Sequence, residues 1–146
     1  MTPKFLALLV GGLVPAIFLG LAAIMQKLIS QYPIGIGPFL IVTGLGTCLA
    51  GAVFLAIDRD PSLSPASIGM TFIFGLFWAT ATGCISIALK KLGGSISQLA
   101  PLYNTNTLVA VVISLVLLSE WKTVQPTRIL IASAFIIIGG VLAARS

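Results

Sequence analysis

Residues Ile34–Ile57 read IGIGPFLIVTGLGTCLAGAVFLAI, a run of 24 without one charged side chain. A helix needs ~20 apolar residues to cross ~30 Å of hydrocarbon, so this run is long enough to span a bilayer. Working outward, four more stretches have the same character: Phe5–Gln26, Ala66–Leu89, Leu99–Ser119 and Ile129–Ala144. The last is shorter, about 16 residues against the ~20 of a full span, but almost wholly apolar. In lipid only helices and closed barrels satisfy their backbone polar groups. Barrel strands would alternate apolar and polar over ~10 residues, whereas these runs are continuously apolar. The sequence therefore predicts an all-α polytopic membrane protein, a single domain over residues 1–146 with five transmembrane helices. The connections at Ser30–Pro33, Asp58–Pro65, Gly93–Gly94 and Lys122–Pro126 are short and turn-like. Consecutive helices are expected to pack as antiparallel neighbours.

Composition agrees. The chain is 58% hydrophobic and 8% charged, where a water-soluble domain carries about a quarter charged residues. The net charge of +5 is not a nucleic-acid footprint, because the basic residues sit singly at span ends, where Lys and Arg snorkel to headgroups. Membrane lipid is the expected surrounding partner, and the cell (inner or plasma) membrane the expected location. Cys48 and Cys84 fall in mid-span and read as small hydrophobes. With no His, two Cys and three peripheral acids, neither a metal cluster nor a cofactor is expected. No Ser/His/Asp set, phosphate-binding glycine loop or dinucleotide fingerprint occurs, so an enzyme is not expected. Lys4 followed by an apolar run resembles a signal peptide, but the run is longer than a usual signal core, and a retained first helix is expected.

The cations divide evenly. An odd number of spans puts Lys4, Arg59, Lys122 and Arg128 on one side and Lys27, Lys90, Lys91 and Arg145 on the other. Orientation normally follows a Lys/Arg excess on the cytoplasmic side, and here there is none. The acids Asp58, Asp60 and Glu120 all lie on the first side, and acids count little for topology. Such a chain is able to insert both ways and pair with its own inverted copy.

Polar residues concentrate in the fourth span. At 100° per residue, Ser97, Pro101 and Asn104 share one face, while Tyr103, Thr107, Ala110 and Ser114 share another, with Asn106 at its border. Two polar faces cannot both meet lipid, so one is expected to pack on a helix and the other to line a polar cavity. Pro101 cannot donate to the Ser97 carbonyl, and a kink or opening is expected there. Such a cavity would take substrate through Tyr103, Asn104, Asn106 and Thr107. Gln26 and Lys27 at the end of the first helix and Trp78 and Thr82 on the third complete the expected set. Helix–helix packing is the competing role for each, since interhelical hydrogen bonds are themselves worth ~0.6–2 kcal/mol; for Lys27 the competing role is snorkelling. No Asp or Glu lies inside a span, so coupling through a buried carboxylate is not supported. Glu120 is expected to anchor a helix end or to pair with Lys122 or Arg128. The small-residue series Gly75, Ala79, Gly83 and the pairs Gly139/Ala143 and Gly140/Ala144 offer faces for close helix approach, either within the chain or between subunits.

Several of these residues carry a family resemblance. Ala88-Leu89-Lys90-Lys91-Leu92-Gly93, Pro101 in the fourth helix, Leu118-Ser119-Glu120-Trp121, Gln125 and the closing Ile138-Gly139-Gly140-Val141-Leu142 resemble the EamA-like domain of the drug/metabolite transporter superfamily. Gly20 with Lys27 seven residues on is similar to that family's first-helix pattern. Ser119 stands where relatives carry Gly, Leu19 where they carry Trp, and the second helix lacks their Arg. Most relatives hold two five-helix halves in inverted orientation, and this chain looks like one half. The resemblance implies a transporter subunit that moves a small polar or amphipathic metabolite by alternating access, as a homodimer with an inverted copy. A dual-topology ion channel and a non-transporting accessory membrane protein are the alternatives.

Overall fold

A computed structural model describes residues 3–117, 119 and 125–145. Among these residues the secondary structure is helical throughout, with no strand. The helices are α1 (Pro3–Leu8), α2 (Val14–Ile29), α3 (Ile36–Asp58), α4 (Pro65–Lys91), α5 (Ile96–Tyr103), α6 (Asn106–Leu117) and α7 (Pro126–Ala144). Five stretches are long and apolar enough to cross a membrane: Phe5–Ile29, Ile36–Asp58, Pro65–Lys91, Ile96–Leu117 and Pro126–Ala144. The fifth is longer than its apolar run, at 19 residues. It starts at Pro126, whose fixed φ and missing N–H suit the first helical position.

Local chemistry sets the boundaries. Pro15 lacks an N–H, and its ring would press on the Gly11 carbonyl. The chain meets this with a π-helical turn at Leu9–Leu13, in which the Val14 N–H reaches back to the Leu9 carbonyl. The first span is thus α1, a widened turn and α2. It continues three residues past the apolar run to Ile29, and Gln26 and Lys27 lie within its last turn. Ser64 caps α4 by accepting from the Ser67 N–H, Ser67 Oγ returns a contact to the Ser64 N–H, and Pro65 follows at the first helical position. Gly93, with φ of 68°, supplies the left-handed residue just after α4.

The chain divides into two compact units, Met25–Gly93 and Met1–Ile24 with Gly94–Ser146. In the first unit, the opening turns of α3 meet the last third of α4. Gly83 is buried there against Leu40 and Ile36, so the far end of the Gly75, Ala79, Gly83 series packs within the chain. Gly75 faces open space. In the other unit α7 packs against both α5 and α6. Gly140 is buried where a Cβ would come within 2.8 Å of the Pro101 carbonyl oxygen and 3.1 Å of Thr105 Cγ2. The Gly140 face is therefore an internal contact, while Gly139 stays exposed with open space around it.

Burial is inverted relative to a water-soluble domain. Among the described residues the buried apolar side chains are Ala23, Leu89 and Leu115, whereas Leu45, Leu49, Phe72, Phe74 and Phe77 are more than half exposed. The buried polar residues are Ser86, at 5% exposure, and Ser133, at 3%. Lipid is as apolar as Leu, so outward-facing Leu and Phe carry no penalty there, and small and polar groups mediate helix contacts instead.

Candidate functional site

The fourth span breaks at its middle. Between Ile96 and Leu117, helix α5 runs through Pro101 and stops at Tyr103, and α6 begins at Asn106. The opening therefore lies at Asn104–Thr105, three residues beyond the expected position at Pro101. Bonding explains the shift. The Thr105 N–H goes to the Leu102 carbonyl at 3.1 Å, and the Thr107 and Leu108 N–H groups go three residues back, to Asn104 and Thr105. These tightened turns release the Pro101 carbonyl, which lies against Gly140. Threonine hydroxyls add a second bond to two of the accepting carbonyls: Thr105 Oγ1 donates to the Leu102 carbonyl at 2.7 Å and Thr107 Oγ1 to the Asn104 carbonyl at 3.0 Å.

What the break leaves open is a pair of amides. The Asn104 and Asn106 side chains are exposed, and among the described residues neither amide group has a hydrogen-bond partner. Each carries two donors and an acceptor. Tyr103, the last residue of α5, is half-buried beside them, and Thr107 is exposed but bonded locally. Tyr103, Asn104, Asn106 and Thr107 thus gather at one helix interruption.

In the unit Met25–Gly93, Gln26 and Thr82 come together in a different way. Gln26 Nε2 donates to the Thr82 carbonyl at 2.9 Å and to Ser86 Oγ at 2.8 Å. Here the Gln26 amide joins α2 to α4. Lys27 is half-buried in the last turn of α2, where its carbonyl accepts from Ser30 Oγ at 2.6 Å. Trp78 is 44% exposed in mid-α4. A cavity of about 10 Å³, room for about one water, lies beside Gln26 and is lined by Ser30, Ser86, Phe39 and Lys90 among others. Lys90 Nζ donates to the Tyr32 carbonyl at 2.9 Å and to that of Ile34. Ser86 and Lys90 were not among the expected site residues. The signal for them is the four-residue interval Thr82–Ser86–Lys90, which puts all three on one helix face.

Outside the spans, the Asp60 carboxylate accepts from the Ser62 N–H at 3.0 Å. Hydrogen bonding from Ser62 holds the Asp60 pKa below its ordinary value. Glu120, Trp121 and Lys122 lie outside the described residues, and with them the expected Glu120 pairing and part of the motif around Ser119. No group of three or more His, Cys, Asp or Glu able to hold a metal occurs among the described residues. No family model, curated protein or solved structure matches the chain.

Proposed function

We propose that the chain is a subunit of a membrane transporter that moves a small polar or amphipathic solute by alternating access, working as a homodimer with an inverted copy. One observation carries this reading: the fourth span is interrupted at its middle, and the exposed amides of Asn104 and Asn106, without a partner among the described residues, flank the interruption. Such groups are costly against hydrocarbon. A polar solute path gives them partners, and a second copy shields them from lipid. Five spans with cations divided evenly between the two sides supply the inverted partner from the same chain. The EamA-like pattern of Lys90, Lys91, Pro101 and Gly139–Gly140 is consistent with one half of a duplicated carrier.

The test uses purified protein in liposomes loaded with a panel of small polar solutes. Saturable uptake accelerated by solute on the opposite side is expected. Asn104→Leu is expected to slow it about 3- to 30-fold, the equivalent of losing ~0.6–2 kcal/mol of hydrogen bonding at 1.4 kcal/mol per decade, with assembly unchanged by cross-linking. Ion conductance without solute counter-flow would establish a channel instead. No movement of any solute would leave an accessory role.

A further inference from the structure

A second polar feature lies in the unit Met25–Gly93, where apolar packing is the norm. Thr82, Ser86 and Lys90 share one face of α4. Gln26 and Ser30, also four apart, face them from the end of α2 and the turn after it. The Gln26 amide bridges the Thr82 carbonyl and Ser86 Oγ. Beyond that bridge Gln26, Ser30, Ser86 and Lys90 line one side of the small cavity, and Ile29, Ile34, Ile36 and Phe39 line much of the rest. At its outer end the Lys90 ammonium is tied to the Tyr32 and Ile34 carbonyls of the α2–α3 connection. Thr82 to Lys90 rises ~12 Å along the helix, close to the ~15 Å from the hydrocarbon edge to the midplane. The polar groups therefore lie in one row along α4, from the end of the span toward its middle, with the small cavity between Ser86 and Lys90. Ser86 is among the most buried residues of the described chain, while its neighbour Ile87 is 38% exposed.

The row carries a sign. Lys27, Lys90 and Lys91 all lie at this end of the unit, and its acids, Asp58 and Asp60, lie at the other end of α3. Lys90 stands in the last turn of the span, where a lysine reaches toward the headgroups, and it also lines the cavity. Two of the three ammonium donors of Lys90 are held by neutral carbonyls. An anion is a stronger partner than either carbonyl, so its arrival would draw Lys90 away and free the connection that closes the cavity.

We propose that the Thr82–Ser86–Lys90 face of α4, with Gln26 and Ser30, forms an access route for a small anionic solute, with Lys90 as its gate and charge filter. The proposal rests on the transport reading for its purpose, but its test needs no transport. Ser86→Cys is placed in a Cys48→Ala, Cys84→Ala background in membranes and exposed to two water-borne methanethiosulfonates, one bearing a sulfonate and one a trimethylammonium group. Each rate is normalised to that of a small free thiol. The anionic reagent is expected to react about tenfold or more faster than the cationic one. Lys90→Gln is expected to remove that preference, and Lys90→Arg to keep it. Ser30→Cys, one step outward, is expected to show the same preference if Ser86→Cys disturbs the Gln26 bridge. The native Cys84, tested with Cys48 alone replaced, is expected to be indifferent to Lys90→Gln. Failure of both reagents to reach either engineered position, or equal rates that Lys90→Gln leaves unchanged, would overturn the route. Solute uptake that persists in that case would show that passage lies elsewhere.

Discussion

At the scale of single residues, the two neighbouring glycines of α7 behave as opposites. A methyl on residue 140 meets the Pro101 carbonyl, which is backbone and cannot swing aside, whereas a methyl on residue 139 meets nothing. Gly140→Ala is therefore expected to destabilise by ~1–3 kcal/mol, as overpacking does. Gly139→Ala is expected to be neutral. Thermal unfolding of the two variants in detergent checks the pair. Gln26→Leu removes two interhelical bonds and leaves Ser86 Oγ without its donor, at an expected cost of ~1–2 kcal/mol in the same assay. For Asp60 the sign is fixed by its lowered pKa. A group whose pKa is depressed on folding stabilises the fold above its unfolded pKa, and that contribution is lost as pH falls through the folded value. The Ser62 amide chemical shift is therefore expected to titrate with a midpoint below that of a free Asp side chain. It is expected to show no such step in Asp60→Asn.

At the scale of elements, two spans are shaped by prolines in different ways. In the first span, Pro15 is accommodated by a π turn that inserts one extra residue into the helix. Pro15→Ala restores the missing donor. Collapse of the turn to an α-helix is then expected to rotate Pro3–Leu8 by about 100° relative to α2. A cysteine scan of lipid accessibility over residues 4–8 reads that rotation directly. In the fourth span, the interruption comes after Pro101, where the N–H and hydroxyl of Thr105 and of Thr107 both turn to the carbonyl three residues back. The existence of the spans was legible in the sequence, because uninterrupted apolar length is a property of composition; the fifth gains its extra turn from residues 126–128, which are not apolar enough to be read as span. The position of the break was not. Assigning faces at 100° per residue assumes one continuous helix, and the turn at Asn104–Thr105 resets that phase. The gathering of Tyr103, Asn104, Asn106 and Thr107 was nonetheless readable, since neighbours in sequence stay neighbours across a turn. Ser86 and Lys90 were overlooked for another reason. A lysine at a span end is already explained by snorkelling, and only the carbonyls of Tyr32 and Ile34 turned toward it show that it is tied to the α2–α3 connection.

At the scale of the whole molecule, the number of spans and the placement of charge bear on each other. Five candidate spans put successive connections on alternate sides, and the eight cations divide equally between those sides. Either orientation then satisfies the rule that favours cations in the cytoplasm equally well. The proposed inverted dimer depends on this balance. Leu63 and Leu92 are both strongly exposed, at 77% and 76%, and sit on connections one span apart. The decisive measurement labels Leu63→Cys and Leu92→Cys singly, in the Cys48→Ala, Cys84→Ala background, with a membrane-impermeant maleimide applied to each membrane face in turn. With dual insertion, each position labels from both faces in about equal shares. Labelling of Leu63→Cys wholly from one face and of Leu92→Cys wholly from the other would fix a single orientation and contradict the inverted homodimer.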